Sequence, residues 1–174
     1  DQQYESIPGF GEKRDYHNLS REEIVSIVRD AGIVGLGGAG FPTFVKLSPK
    51  EIDKIDLFLV NGAECEPYLT SDYRDMMEMP EKLIGGLQVV LSIFPNAKGK
   101  ICIEDNKPEA IKLLTEKTKG MDNIEVVALR TRYPQGGERQ LIYAASGRKI
   151  NSSMLPADAG VVVDNVDTVV AIYE

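Results

Sequence analysis

The chain has 174 residues, a length that suits one domain burying roughly 70% of its extended-state surface without disulfides. Apolar residues make up 43% of the chain and charged residues 27%, a globular composition that excludes a disordered or collagen-like protein. The net charge of −7 argues against a nucleic-acid-binding surface. Residues 129–150 are an exception, because they form a local basic segment that suits an anionic cofactor, a partner or simple solvation.

Cysteine and histidine are too few for the commonest metal sites. Cys65 and Cys102 form no Cys-x-x-Cys pair, which argues against a complete zinc or iron–sulfur site. His17 lies in a polar stretch with no catalytic motif around it, so we expect it to be exposed. The longest apolar runs, such as residues 57–60, are too short to span a membrane. We therefore predict neither a metal site nor a membrane span.

From residue 19 onward, helical and strand patterns alternate. Ser20 and Glu23 form a capping box before an apolar stripe, which predicts a helix that ends at Gly32. The alternation predicts an α/β fold with a mainly parallel sheet covered by helices. The later predicted strands are residues 56–61, 100–104, 124–129 and 161–163. The later predicted helices are one that ends at residue 77, one that begins at Pro80, residues 106–117, residues 137–146 and one that begins after Asn165.

Both ends of the sequence indicate an excised domain. The chain begins with Asp1 rather than Met and stops within the last predicted helix. We expect residues 1–18 to be an N-terminal extension or linker and residues 19–174 to be the folded domain of a longer protein.

A glycine-rich stretch at residues 35–43 is the first candidate ligand site. Its glycines match the literal pattern G-x-G-x-x-G, but they follow a helix rather than a strand, and Phe41-Pro42 interrupts the expected helix start. We therefore reject a dinucleotide fingerprint and leave two alternatives: a tight structural turn, or a loop whose amides approach an anion. Lys46 adds a positive charge that suits a phosphate.

Other candidate residues follow predicted strands, where parallel sheets bind ligands. Asn61 can offer both a donor and an acceptor. Glu64 and Glu66 point the same way if their segment is extended, so they are either paired carboxylates or simply solvated. Cys65 between them is expected to be a small buried residue. Residues 164–168 suit N-capping, anion binding at a helix N-terminus, or both.

Five motifs in this order resemble a known family. They are Gly-Leu-Gly-Gly-Ala-Gly-Phe-Pro-Thr (35–43), Asn-Gly-Ala-Glu-Cys-Glu-Pro-Tyr (61–68), Tyr-Pro-Gln-Gly-Gly-Glu (133–138), Leu-Pro-Ala-Asp (155–158) and Asp-Asn-Val-Asp-Thr (164–168). The sequence from about residue 19 to the end resembles the flavin-binding domain of the C subunit of the Rnf electron-transport complex. That subunit is related to the 51-kDa NADH-oxidising subunit of respiratory complex I. The resemblance implies a Rossmann-like α/β domain that holds FMN.

The resemblance also implies roles for single residues. Glu66 and Glu138 would face the nicotinamide end of NADH as catalytic residues, and Phe41 would stack on its adenine. The implied cofactor-binding residues are Gly35, Gly37, Gly38 and Gly40 along the cleft, Lys46 at the flavin, Asn61 at the isoalloxazine edge, Gly136 and Gly137 against the ring, and Asn165 and Thr168 at the phosphate. Glu64 and Asp164 are further cofactor-binding candidates. Ala63, Gly137 and Pro49 depart from the complex I pattern, so the sequence supports FMN binding better than tight NADH binding.

The implied reaction is hydride transfer between NADH and FMN, in either direction, followed by single-electron transfer to 4Fe-4S clusters outside this chain. The implied partners are the other subunits of a membrane-bound complex, NAD(H) and, indirectly, ferredoxin, with the domain peripheral on the cytoplasmic side of the bacterial membrane. The alternatives are a cofactor-free docking module, the core of a related corrinoid or proline-pathway reductase, or a soluble Rossmann reductase. The isolated domain could also be inactive without its flanking domains.

Overall fold

The structure is a computed structural model that describes residues 13–174. Within this range, four parallel strands form one sheet in the order β3-β2-β1-β4. The α/β fold with a parallel sheet covered by helices is therefore confirmed. The strands are β1 (Leu57–Gly62), β2 (Lys98–Glu104), β3 (Ile124–Leu129) and β4 (Val161–Asn165), and the helices are α1 (Arg21–Asp30), α2 (Thr43–Lys46), α3 (Ser71–Glu78), α4 (Pro80–Ile93), α5 (Pro108–Lys117), α6 (Glu138–Ser146) and α7 (Val166–Tyr173).

The strand order reverses direction at β1. The chain moves outward from β1 to β2 and β3, and then crosses back to place β4 on the other side of β1. Asn61 pairs in register with Asn165, and Val60 with Asp164. In open parallel sheets, ligands bind in the crevice that such a reversal leaves at the carboxyl ends of the strands. The crevice between β1 and β4 is therefore the expected binding position.

Helices cover both faces of the sheet. Phe58 and Val60 of β1 join the core formed with α1, α4, α5 and α7. Leu57 and Leu59 point to the opposite face and pack against α6. Because both faces are buried, β1 is a continuous apolar run rather than an alternating one.

Most predicted elements lie within two residues of the observed ones. The capping box is confirmed, since the Ser20 hydroxyl accepts from the Glu23 amide and the Glu23 carboxylate accepts from the Ser20 amide. Strand β4 is two residues longer than predicted because Asp164 and Asn165 still pair with β1. Helix α5 begins two residues later than predicted, at Pro108, because proline favours the first helical position. Helix α2 was not predicted, since four residues are too few to show a helical period.

The proposed N-terminal boundary stays a prediction. Residues 1–12 lie outside the described residues. The rest of the predicted extension contains a short 3-10 turn at Tyr16–Asn18, and His17 is exposed as expected. Two further 3-10 turns lie at Ile52–Lys54 and Pro156–Ala159.

Helices α4 and α7 pack closely at two adjacent glycines of α4. A Cβ atom on Gly86 would overlap the backbone carbonyl oxygen of Val169. A Cβ atom on Gly85 would instead press on the ring of Tyr173, a half-exposed side chain near the end of the chain. A backbone group cannot move without shifting α7, whereas the tyrosine ring can rotate away.

We expect Gly86→Ala to lower the free energy of unfolding by about 2 kcal/mol, because the overlap outweighs the better helix propensity of alanine. Gly85→Ala is the matched control on the same helix, and it should stay within about 1 kcal/mol of the parent protein. Urea unfolding of the three proteins measures both values. Equal effects of the two substitutions would contradict the close backbone approach.

Candidate functional site

The glycine-rich loop is attached to the first turn of α7. The amide of Leu36 donates to the hydroxyl of Thr168 at 3.0 Å. A Cβ atom on Gly37 would lie 2.8 Å from the Cβ atom of Asn165, so the loop backbone approaches α7 as closely as glycine permits. A Cβ atom on Gly38 would meet nothing within 4 Å. The loop is therefore anchored at Leu36 and Gly37 and open to a ligand at Gly38.

The two ends of this loop are also tied together. The Gly35 amide donates to the carbonyl oxygen of Phe41 at 2.8 Å, and Val34 forms an isolated bridge with Pro42. Gly40 has a φ of 64°, a left-handed conformation that favours glycine. The loop follows α1 rather than a strand of the sheet, as the sequence predicted, and α2 begins directly after it.

Lys46 of α2 reaches the carboxyl end of β4. Its ammonium donates to the carbonyl oxygen of Val163 at 2.7 Å and to Oδ1 of Asp164 at 2.9 Å. The side chain of Asp164 is wholly buried, and its Oδ2 atom has no hydrogen-bond partner among the described residues. Burial raises the pKa of Asp164 to about 6, with a smaller contribution from the carboxylate of Glu138, while Lys46 opposes the rise. An ammonium has three donors, so one N–H of Lys46 remains for a ligand.

Asn61 joins two loops at the end of β1. Its Nδ2 atom donates to the carbonyl oxygen of Gly136 at 2.9 Å, and its Oδ1 atom accepts from the amide of Ala63 at 3.2 Å. A Cβ atom on Gly136 would lie 2.5 Å from the carbonyl oxygen of Ala63, so this position requires glycine. Gly137 then caps the N-terminus of α6, which begins at Glu138. The amide of Asn61 therefore fixes the loop that presents Glu138.

The expectation that Glu64 and Glu66 point the same way is wrong. The side chain of Glu64 is only 3% exposed; its Oε1 atom accepts from the Asp72 amide at 3.0 Å, and Lys107 lies 3.7 Å from its Oε2 atom. Glu66 is exposed, and the interaction with its carboxylate raises the pKa of Tyr133. The two side chains diverge because residues 63–70 form an irregular loop, with a bend at residue 66 and a turn at residues 67–68, rather than an extended segment.

Asp72 is a site residue that the sequence did not single out. It lies at the start of α3, and its Oδ2 atom accepts from Nδ2 of Asn165 at 2.8 Å. Burial raises the pKa of Asp72 to about 6, and the carboxylates of Glu64, Asp167 and Asp75 raise it further, while the bond from Asn165 opposes them. Only the fold could reveal this contact, since 93 residues separate the two side chains.

A cleft of about 340 Å³ opens at the carboxyl ends of β1, β2 and β3. Residues 64–70 and 131–133 line it, together with Glu104 and Lys107. Glu104 is buried, and burial raises its pKa. Tyr133 belongs to the 133–138 motif, but the sequence assigned no role to it. The cleft therefore extends the candidate site beyond the β1–β4 crevice, on the side of Glu66.

The candidate residues fall into two groups. The first group surrounds the end of β4 and comprises Gly35–Gly40, Lys46, Asp164, Asn165 and Thr168. The second group lies at the end of β1 and comprises Asn61, Gly136, Gly137 and Glu138. Asn61 at the end of β1 pairs in register with Asn165 at the end of β4, which places the two groups on one crevice. Phe41 is half-exposed, and Glu64 is buried beside α3.

The basic segment at residues 129–150 is partly structural. Arg148 forms two hydrogen bonds with the carboxylate of Asp56, at 2.6 and 2.7 Å, and Arg139 donates to the carbonyl oxygen of Ser152. Residues 13–174 contain no cluster of three or more metal-ligating side chains in a metal-binding arrangement. Over the same range, no helix is long and apolar enough to cross a membrane.

A parallel sheet with a glycine-rich loop and a helix N-terminus at its reversal point is the arrangement in which α/β domains bind phosphate-bearing cofactors. A family model described as the Nuo51 FMN-binding domain matches residues 28–174. The chain therefore belongs to the family of Nuo51 FMN-binding domains.

Known relatives agree with this assignment. The chain is 47% identical over 170 residues to the C subunit of a proton-translocating ferredoxin:NAD(+) oxidoreductase complex from Clostridium ljungdahlii, covering 98% of this chain and 37% of the relative. It is also 47% identical over 169 residues to the C subunit of a Na(+)-translocating complex of that type from Acetobacterium woodii, covering 97% of this chain and 38% of the relative. The resemblance drawn from the five motifs is thus confirmed. The chain spans less than two-fifths of the length of either relative.

A solved structure has the same fold. An NAD+-reducing [NiFe]-hydrogenase in its H2-reduced state superposes with a TM-score of 0.76 and 26% identity. The match covers 91% of this chain and 30% of the hydrogenase chain.

The raised pKa of Asp72 predicts a pH-dependent stability. The folded protein keeps this proton up to about pH 6, whereas the unfolded chain releases it near the ordinary value of 3.8. Folding stability therefore falls as the pH rises from about 4 to about 6. Asp72→Asn keeps an acceptor for Asn165 without the charge. We expect this variant to match the parent at about pH 4 and to be more stable by about 2 kcal/mol at about pH 7.5, allowing for the partial exposure of the site.

Urea unfolding at the two pH values measures this difference. The control is Asp122→Asn, which removes the same charge from an exposed turn before β3. The control should follow the parent at both pH values. A stability gain of Asp72→Asn that is independent of pH would contradict the assigned ionisation.

Proposed function

We propose that this chain is the FMN-binding and NADH-oxidising module of a ferredoxin:NAD oxidoreductase subunit of the Rnf type. The carrying observation is the crevice between β1 and β4, which combines an open glycine-rich loop with a lysine fixed at the strand end, in a chain of the Nuo51 family. Because the chain spans only part of its relatives, the activity of the whole protein also belongs to this proposal.

The residues of the crevice fit FMN. Gly38 leaves room for the cofactor against the loop backbone, and Lys46 offers a free N–H and a positive charge. The N-terminus of α7 adds a helix dipole that favours a phosphate. Gly35, Gly37 and Gly40 shape the loop, and Gly136 and Gly137 shape the opposite wall.

Several proposed cofactor residues already have partners within the protein. Asn61, Asn165 and Thr168 each hold another part of the crevice in place. Glu64 caps α3. We propose that these side chains act mainly by positioning the backbone that contacts the flavin.

The NADH end of the site is assigned to exposed residues. Glu66 and Glu138 would hydrogen-bond the nicotinamide end of NADH and align it with the flavin, and Phe41 would stack on the adenine. When bound, FMN would supply the redox chemistry, since it exchanges a hydride with NADH and single electrons with 4Fe-4S clusters outside this chain. The role of the protein would be to hold NADH and FMN in the relative orientation that hydride transfer requires.

The remaining proposals follow from the relatives. Both relatives are named as parts of ion-translocating ferredoxin:NAD(+) oxidoreductase complexes. We propose that this chain likewise functions with other subunits of a membrane-bound complex, on its cytoplasmic side, and exchanges electrons indirectly with ferredoxin. The direction of electron flow depends on the potentials of NADH and ferredoxin in the cell.

A second candidate is a docking module without cofactor. One observation in its favour is that the side-chain amides of Asn61 and Asn165 are already engaged in hydrogen bonds within the protein. Another is that two acids, Asp72 and Asp164, lie near the expected phosphate, which they would repel. Titration of the protein into FMN, followed by flavin fluorescence, separates the two candidates. Quenching that saturates supports the flavin module, and its absence with a folded far-UV spectrum supports the docking module.

The space at Gly38 provides a specific test of the loop. We expect Gly38→Val to weaken FMN binding at least about 100-fold, because its side chain would fill the space left for the cofactor. Its free energy of unfolding should change by less than about 1 kcal/mol, since the added Cβ atom meets nothing within 4 Å. Fluorescence titration and urea unfolding measure the two effects.

The control for the loop is Gly32→Asn, which lies in open space with a φ of 68° that asparagine tolerates. This control should bind FMN as the parent does. Unchanged FMN affinity of Gly38→Val would move the cofactor away from the loop.

The role of Glu66 can be separated from cofactor retention. Glu66→Gln keeps the length of the side chain and one acceptor oxygen but loses the negative charge that would hold the nicotinamide end. We expect the rate of flavin reduction by NADH to fall at least about tenfold, while FMN affinity changes less than about twofold. Anaerobic stopped-flow measurement of flavin bleaching gives the rate, and the fluorescence titration gives the affinity.

The matched control is Glu116→Gln on the exposed side of α5, which should change neither quantity. A Glu66→Gln variant that loses FMN but reduces its remaining flavin normally would place Glu66 at the flavin instead.

A further inference from the structure

Asp164 occupies an unexpected position for an acidic residue. Its carboxyl group contacts the lysine that we propose to hold an anionic flavin, although a carboxylate repels a phosphate. The side chain is wholly buried at the end of β4. An ionised carboxylate in such a place requires hydrogen bonds or a counter-ion.

Only one oxygen of Asp164 meets this requirement. Oδ1 accepts from the Lys46 ammonium at 2.9 Å, but Oδ2 is buried and has no hydrogen-bond partner among the described residues. The same ammonium donates to the carbonyl oxygen of Val163 at 2.7 Å. Lys46 is thus fixed between a backbone carbonyl and a carboxyl group, and its third N–H is left for the crevice.

The charge of this lysine–carboxyl pair depends on one proton. With Asp164 ionised, the pair has no net charge to offer a phosphate. With Asp164 in the acid form, the pair carries one positive charge. The charged groups that face Asp164 are Lys46 from α2, which favours the ionised form, and Glu138 from α6, which together with burial favours the acid form.

We infer that Asp164 controls the positive charge that Lys46 presents, and that FMN binds with Asp164 in its acid form. The inference rests on the proposed function, because it takes a phosphate-bearing flavin as the ligand. One proton from solvent is taken up on binding and sits on Oδ2, the oxygen without a partner among the described residues, while Oδ1 keeps the N–H of Lys46. Asp164 is therefore a positioning residue that acts through Lys46.

The test compares FMN dissociation constants of the parent and of Asp164→Asn between about pH 5.5 and 8. Asparagine reproduces the shape and charge of the acid form. We expect the ratio of parent to variant dissociation constants to rise from near 1 at about pH 5.5 to at least about tenfold at about pH 8. Protonation of the FMN phosphate and of Asp72 changes both dissociation constants equally and therefore cancels in this ratio. The parent and the variant bind the same ligand, and both contain Asp72.

Two controls isolate the phosphate and the site. With riboflavin, which lacks the phosphate, the ratio should change less than about twofold over the same range. Asp122→Asn, which removes a remote charge, should bind FMN like the parent at every pH.

The outcomes are distinct. A ratio that does not rise with pH, or an Asp164→Asn variant that binds FMN more weakly throughout, would overturn the inference. FMN binding by neither protein at any pH would instead contradict the proposed function.

A second measurement does not depend on the folding of Asp164→Asn. Titration calorimetry in two buffers of different ionisation enthalpy counts protons taken up with FMN at about pH 7.5. We expect the parent to take up close to one proton per FMN, since the FMN phosphate is already almost fully ionised at this pH and Asp164 must gain the proton. Proton uptake near zero would overturn the inference.

Discussion

The pairing of β4 with β1 is the constraint on which the candidate site depends. It brings the N-terminus of α7 beside the end of β1, so that Asn61 and Asn165 lie in register although they are far apart in the sequence. The pairing also leaves β4 as an edge strand, and Lys46 satisfies the outward carbonyl of Val163 at this edge. The position of Lys46 in the crevice is therefore a consequence of how the sheet ends.

The crevice is preorganised by hydrogen bonds within the protein. Asn61 fixes the loop before α6, Thr168 fixes the glycine-rich loop, and Asn165 joins α7 to α3. These side chains lose no rotamer freedom when a ligand arrives, which removes one of the usual entropic costs of binding. In the proposed flavin site these side chains would therefore act as supports, and the backbone of the glycine-rich loop would contact the cofactor.

The sequence predicted the fold more completely than the site. Local signals such as the Ser20 capping box and Pro80 are read from neighbouring residues, and they located helices within two residues. The divergence of Glu64 and Glu66 could not be predicted in this way, because it arises when Glu64 caps a helix that begins at Ser71. Asp72 was missed for the same reason, since its contact with Asn165 exists only after β4 pairs with β1.

Acidic residues in the crevice connect folding with ligand binding. Burial raises the pKa values of Asp72 and Asp164 to about 6, so the folded protein holds protons there that the unfolded chain would release. Above that pH, both carboxylates are ionised in poorly solvated positions, and each lowers the stability of the fold. The same ionisation weakens the positive potential of Lys46 and of the N-terminus of α7. A bound anion that favours protonation of Asp164 would therefore relieve an unfavourable charge of the free protein, and in the proposed flavin site this would link cofactor retention to fold stability.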